Sequence, residues 1–187
     1  RKEYYETSTY QKHDNLFTII IIGGSQGAKI FDELLNKSFV SVAKQASIKI
    51  IHQTSKKNIN FLKNFYSQNN IESRVFSFDH NLNEVLKQGD LCITRAGASS
   101  LAELSFLNVP FIAIPLPSSK DNHQYENAKY YKEQDCCWII DQKNFDDQKF
   151  EKFLLELINK SQDYITKKKN LQKLNYQNTW NNVNQKI

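Results

Sequence analysis

Arg95-Ala96-Gly97-Ala98-Ser99-Ser100-Leu101-Ala102-Glu103 is the stretch whose residue types and spacing can best do chemistry. It continues the apolar run Leu91 to Thr94 into a helix through small residues, so a phosphate could approach the backbone there. Gly97 is expected to free the turn, and Ser99 and Ser100 to cap the helix, leaving unpaired amides aimed outward. Glu103 stands one helical turn inside the same mouth. A carboxylate there accepts hydrogen bonds from sugar hydroxyls while the helix N-terminus holds an anion, which together describe a nucleotide-sugar pocket.

Three further segments offer related chemistry. Gly23-Gly24-Ser25-Gln26-Gly27-Ala28 follows the first apolar run and can bring backbone against phosphate or sugar, with a purely structural glycine turn as its rival. It is neither a dinucleotide fingerprint, which needs Gly where Ser25 stands, nor a Walker loop, which needs Gly-Lys-Ser/Thr where Ala28-Lys29-Ile30 stands. The second strand, ending Ile50-Ile51-His52-Gln53-Thr54, also lacks the closing acid of a dinucleotide site, and His52 reads more readily as a hydrogen-bonded structural group than as a catalyst. In Phe76-Ser77-Phe78-Asp79-His80-Asn81-Leu82, Phe78 could stack beside a flat base while the backbone of Asp79 reads its edge. In the run from Pro115 to Ala128, Asp121 or Asn122 is expected to cap a helix whose first turn carries His123 and Gln124, amide and ring donors suited to sugar hydroxyls. An ordinary surface helix is the competing interpretation.

The elements that must position these residues are legible as short β-branched runs alternating with amphipathic stretches. Strands are expected at Phe17 to Ile22, Ile48 to His52, Arg74 to Ser77, Leu91 to Thr94, Phe111 to Ile114 and Cys137 to Ile140. Helices are expected at Ala28 to Lys44, Lys57 to Gln68, Leu82 to Gln88, Ser99 to Leu107, His123 to Gln134, Asp146 to Asn159 and after Ser161. The first helix is expected to bury Ile30, Leu34, Leu35, Phe39 and Val42 along one face. Right-handed crossovers would wind this alternation into an α/β fold, a Rossmann-like parallel six-stranded sheet with helices on both faces and ligands at the carboxyl ends of the strands. Residues 1–15 read as a linker remnant, 16–165 as the Rossmann-like domain and 166–187 as a C-terminal helical tail, in which Tyr176 and Trp180 could pack as a docking helix.

Composition narrows the class. The 187 residues contain no Met, so the chain is expected to be a processed product or a cut fragment, one lobe of a larger protein. The net charge of +5 clusters only at Lys167-Lys168-Lys169, expected to be a solvated helix face, with attraction to anionic headgroups as the rival. Nucleic acid is not expected as a partner, for no aromatic and basic module is present. Cys92, Cys136 and Cys137 lack paired spacing, and the two adjacent ones are expected on opposite faces of a strand, so neither metal nor disulfide is expected. No signal peptide is evident and the longest apolar runs are far short of a membrane span, which fits a reducing cytosol.

With GGSQGA at 23–28, HQTSK at 52–56, the loop from Phe78 to Leu82, RAGASSLAE at 95–103 and KDNHQYENA at 120–128, the chain resembles the C-terminal, donor-binding half of certain bacterial peptidoglycan glycosyltransferases. Members of this glycosyltransferase family 28 add N-acetylglucosamine to undecaprenyl-pyrophosphoryl-muramoyl-pentapeptide, converting lipid I to lipid II. The resemblance implies one lobe of the two-lobed GT-B class, an inverting reaction, UDP-N-acetylglucosamine as donor substrate and no cofactor. By the same resemblance, Ser25 and Arg1 would contact the diphosphate, and the Asp79 backbone would read uracil. Ala98, Ser99, Ser100, Leu101 and Ala102 would form the helix start beside the diphosphate, Glu103 would hold the ribose and Gln124 the N-acetylglucosamine hydroxyls. Gly24, Gln26, Gly27, Phe78, Arg95, Gly97 and His123 would support them. No residue is expected to be catalytic, because the histidine proposed to activate the acceptor lies in the family's first lobe, which would also receive lipid I. The resemblance further implies peripheral attachment to the cytoplasmic side of the inner membrane. A UDP-N-acetylglucosamine epimerase lobe and a non-enzymatic nucleotide-binding module are the alternatives.

Overall fold

A computed structural model describes residues 16–23 and 29–177, the last two by backbone only. Six strands form one sheet: β1 (Phe17–Ile22), β2 (Ile48–Gln53), β3 (Glu72–Phe76), β4 (Leu91–Thr94), β5 (Phe111–Ala113) and β6 (Cys137–Ile139). Their order is β3-β2-β1-β4-β5-β6 and every pairing is parallel. This is the doubly wound Rossmann arrangement, in which the connections reverse direction between β1 and β4 and leave a crevice outside their carboxyl ends. Ile22 and Thr94 stand side by side at those ends.

The helices are α1 (Phe31–Leu34), α2 (Asn36–Ala43), α3 (Ile59–Gln68), α4 (Leu82–Leu86), α5 (Ala98–Phe106), α6 (His123–Glu133), α7 (Asp147–Ile158) and α8 (Gln162–Gln177). They cover both faces of the sheet. In β1, Ile19 and Ile21 join Phe31, Phe39, Leu62 and Leu154 in one core, while Ile20 and Ile22 join Leu86, Leu101, Leu104 and Leu171 in the other. Each isoleucine withdrawn from water in this way contributes about 1.5–3 kcal/mol, and a strand buried on both sides reads as a continuous apolar run.

Several boundaries depart from the sequence-based expectation, each for a local reason. The first helix is broken at Leu35 into α1 and α2, because Asn36 Nδ2 donates to the Asp32 carbonyl at 2.7 Å and competes for the acceptor a continuous helix would use. Phe31, which the expected face omitted, is fully buried, as is Leu35. β3 begins two residues early, at Glu72, because backbone pairing with β2 and a 2.7 Å Lys49–Glu72 ion pair extend a polar edge strand. Cys136 and Cys137 do not face opposite ways; Cys136 precedes β6, and both join one core as free thiols. Burial pushes their pKa values up to about 11 and about 12.

The C-terminal helix is part of this packing. α8 passes residues 165 and 166 without a break and buries Leu171 and Leu174. Near its end, Asn175 Nδ2 donates to the Phe106 carbonyl at 3.0 Å and to Asn108 Oδ1 at 2.8 Å, holding the far end of α5. Nor is Lys167 a solvated member of its cluster. It is only 6% exposed, bonded to Asp135 at 2.7 Å and Asp163 at 2.9 Å beside the Trp138 ring, whereas Lys168 and Lys169 are exposed. Among the described residues no helix is long and apolar enough to cross a membrane.

Candidate functional site

Among the described residues, the crevice between β1 and β4 is walled by the turn after β4. After β4 the chain runs through Arg95 and Ala96 to Gly97, the N-cap of α5. The helical ladder starts where Leu101 N donates to the Gly97 carbonyl at 3.0 Å, so the amides of Ala98, Ser99 and Ser100 precede it. Neither Ser99 nor Ser100 is the cap, since both lie inside the helix, and the actual cap, Gly97, has no side chain to satisfy the amides behind it. Leu101, expected among the free donors, has its amide committed to Gly97 and its side chain fully buried. Ala102 is exposed on the next turn, and Glu103 beside it is half-buried.

Gly97 also differs from expectation in what it does. Its φ of −69° and ψ of 134° are open to any residue, so the turn does not require glycine. Among the described residues, a Cβ there would meet only Ser100 Oγ, at 3.9 Å. The absent side chain therefore leaves space at the mouth of α5 that no described residue fills, where an anion could reach three amides and the positive end of the helix dipole.

Arg95 lies at the root of this turn. Its guanidinium donates to the carbonyls of Ile114 at 2.9 Å and Pro115 at 3.2 Å and to Gln142 Oε1 at 2.7 Å, and it stacks 4.9 Å from the Phe31 ring centroid. Burial lowers its pKa, yet an arginine in these surroundings stays charged. Its work is to tie the ends of β4 and β5 together.

The loop after β5 leads into α6. Asp121 and Asn122 both adopt left-handed backbone, with φ of 49° and 55°, and Asn122 is the N-cap without making the expected side-chain cap bond. His123 and Gln124 do open the helix. His123 Nδ1 lies 2.7 Å from the Lys120 carbonyl, so that nitrogen carries the proton. Gln124 Oε1 accepts from Leu116 N at 2.9 Å, which leaves the Gln124 Nε2 amide as the group that can donate to a ligand. One turn on, Asn127 Nδ2 donates to the Ala96 carbonyl at 3.0 Å.

The third wall follows β3. Phe78 is 68% exposed and meets His80 edge-on at 4.9 Å. The Asp79 carboxylate is committed to Arg74 at 2.5 Å and to Asn81 N at 2.9 Å, so its backbone rather than its side chain is what the loop presents. Leu82, opening α4, packs on the same apolar cluster as Ala96 and Leu101, which brings this loop onto the face of the sheet that carries α5.

Behind the other half of the crevice lies a polar network that the sequence did not reveal. Asp32, 2% exposed, accepts from Thr54 Oγ1 at 2.7 Å and Asn58 Nδ2 at 2.5 Å, and its second oxygen faces His52 Nε2 at 3.3 Å. His52 is fully buried and its Nδ1 lies 2.7 Å from the Tyr66 hydroxyl. Burial lowers the His52 pKa and the Asp32 charge does not restore it; burial alone would raise that of Asp32, but hydrogen bonds from His52, Asn58 and Thr54 hold it below the ordinary carboxylate value. A neutral ring between an anion and a phenol is the structural role expected for His52. Asp32 had no signal of its own, since an acid in the first turn of a helix is ordinarily solvated. Arg1, Gly24, Ser25, Gln26, Gly27 and Trp180 lie outside the described residues.

The profile of the glycosyltransferase family 28 C-terminal domain matches residues 18–182. The chain belongs to that family. Over all 187 residues the family 28 chain is 44% identical to a UDP-N-acetylglucosamine–N-acetylmuramyl-(pentapeptide) pyrophosphoryl-undecaprenol N-acetylglucosamine transferase of Pelagibacter ubique (strain HTCC1062), covering 52% of that relative. It is 42% identical over 150 residues to the enzyme of the same name from Rickettsia massiliae (strain Mtu5), covering 79% of this chain and 40% of the relative. The chain thus spans about half the length of the curated relatives it matches. Among solved structures, MurG of Acinetobacter baumannii superposes with a TM-score of 0.77 at 25% identity, covering 86% of this chain and 46% of that one. A UDP-glucose:anthocyanidin 3-O-glucosyltransferase in complex with UDP superposes at 0.66 with 18% identity, over 86% of this chain and 35% of that one, a likeness of fold alone.

Proposed function

We propose that this chain is the donor-binding half of an inverting glycosyltransferase that moves N-acetylglucosamine from UDP-N-acetylglucosamine onto undecaprenyl-pyrophosphoryl-muramoyl-pentapeptide, lipid I to lipid II. The observation that carries this reading is the run of three amides opening α5 at the switch point of the sheet, which have no hydrogen-bond partner among the described residues. Identity to the Pelagibacter enzyme along the whole chain supports it. In this reading Ala98, Ser99 and Ser100 hold the diphosphate with Ser25 and Arg1, the Asp79 backbone reads uracil beside Phe78, Glu103 accepts from the ribose, and Gln124 Nε2 donates to the N-acetylglucosamine.

The chemistry follows from where charge moves. An acceptor hydroxyl attacks the anomeric carbon, the bond to the β-phosphate oxygen breaks, and negative charge collects on departing UDP. Oriented amides and a helix dipole meet that charge without having to reorganise, which is the electrostatic share of the catalysis. No metal or other cofactor is needed for that step. The general base and the lipid acceptor belong to another lobe of the enzyme, working peripherally at the cytoplasmic side of the inner membrane.

Titration calorimetry of the chain with UDP tests the proposal. Binding without sugar transfer is expected, and Glu103→Ala should weaken it by about 1.5–3 kcal/mol, the cost of losing a hydrogen bond to a charged group. Equal affinity of wild type and variant would refute the ribose role.

A further inference from the structure

The bonds of Arg95, Gln124 and Asn127 close into a ring. Arg95 reaches from the end of β4 to the Ile114 and Pro115 carbonyls; the next amide, Leu116 N, donates to Gln124; and Asn127, three residues along α6, donates back to Ala96, the neighbour of Arg95. Residues three apart on a helix share a face, so one face of α6 carries both the bond to the β5 loop and the bond to the β4 loop. α6 is otherwise held by packing against β6 and α5. Ala128 is its only fully buried residue, and Tyr131 adds an edge contact to Phe111 at 5.5 Å.

We infer that Asn127 is a positioning residue for the sugar nucleotide: by fixing the Ala96 carbonyl, it sets the spacing between the α5 amides and the Gln124 Nε2 donor. This rests on the proposed donor-binding role. The Ala96 carbonyl belongs to the peptide plane that leads into Gly97, the cap of α5, so holding it aims the three amides that follow. The same bond holds α6 at the turn after Gln124. UDP alone would touch only the first side of this pair, whereas UDP-N-acetylglucosamine must satisfy both at once, and a shift of about 1 Å between them costs heavily in a two-point contact.

The test compares the affinities of UDP and UDP-N-acetylglucosamine for the 187-residue chain, by calorimetry, in wild type, Asn127→Ala and the isosteric Asn127→Asp, which keeps the shape and cannot donate when ionised. The wild type is expected to bind the sugar nucleotide more tightly than UDP. Both variants should weaken UDP-N-acetylglucosamine about tenfold and UDP no more than about threefold, and Asn127→Ser, a shorter donor, should fall between. In a Gln124→Ala background, Asn127→Ala should no longer separate the two ligands, because the contact it positions is gone. Equal weakening of both ligands, an unchanged ratio, or the same change in the Gln124→Ala background would overturn the inference. A wild type that binds the two ligands equally would overturn it too, as would failure of all three Asn127 variants to fold, which would make the bond a folding requirement. A wild type that binds neither ligand would refute the donor-binding reading itself.

Discussion

Two polar regions sit at the carboxyl ends of the same sheet and behave in opposite ways. Beyond β2, the side chains of Asp32, His52, Thr54, Asn58 and Tyr66 turn inward and bond to one another. Beyond β4 and β5, Arg95, Gln124 and Asn127 bond to backbone carbonyls and amides, and three amides of α5 and the Gln124 Nε2 group are left without a partner among the described residues. The first region uses polarity to join α1, β2 and α3, and the second uses it to hold donors in place for something else. Polar residues at a strand end do not by themselves mark a ligand site, and neither do unbonded atoms sealed in the interior, such as Asp32 Oδ1 and His52 Nε2; unbonded groups at an accessible helix start do.

The largest expected effect breaks the closed region. Asp32→Ala removes the acceptor of two hydrogen bonds and leaves buried donors behind, and should destabilise the fold by about 3 kcal/mol in urea unfolding. A loss below about 1 kcal/mol would show the network to be slack. Gly97→Ala addresses the open region. The backbone there accepts alanine, so the melting temperature should hold or rise slightly, while UDP affinity falls roughly tenfold as the methyl group fills the mouth of α5. Undiminished affinity would remove the argument from open space.

A smaller effect separates the two regions by pH. His52 folds with its pKa below the free value of 6.5, so below that pH the unfolded chain binds a proton that the folded chain refuses. The stability is complete above pH 6.5 and falls as pH drops, with a slope of up to about 1.4 kcal/mol per pH unit. The depressed Asp32 acts in the same direction at lower pH, where its contribution, present above the ordinary carboxylate range, is lost as pH falls through the folded value. His52→Gln should flatten the wild-type slope between about pH 7 and 5, and an unchanged slope would place the titration elsewhere. The smallest effect concerns the tail lysines. Lys168→Ala and Lys169→Ala should each change stability by less than about 0.5 kcal/mol, while Lys167→Ala, which abandons two carboxylates, should cost at least about 1 kcal/mol in thermal unfolding.

Most of the architecture was legible from the residues, because a doubly covered parallel sheet writes itself as apolar runs such as Phe17 to Ile22 spaced by helical stretches. The errors lie where one side-chain bond outweighs a local preference. Asn36 interrupted a helix whose apolar period runs through Leu35, and backbone pairing carried β3 across Glu72 and Ser73. Of the candidate site, the position of α5 was readable from RAGASS, as was the first turn of α6 from DNHQ. What could not be read was commitment. Ser99 and Ser100 have the chemistry of caps but sit two and three places too deep, and neither the engaged carbonyl of Gln124 nor the tether from Asn127 has any expression in residue type.

The contact between α8 and the end of α5 has a mechanical consequence. α5 behaves as a beam clamped at both ends, by Asn127 where it starts and by Asn175 where it stops. A helix gripped only at its start could pivot about Gly97 and sweep its amides through an arc. With its rear anchored by the chain's own tail, that rocking is suppressed, so residues remote from the crevice share in keeping its geometry steady.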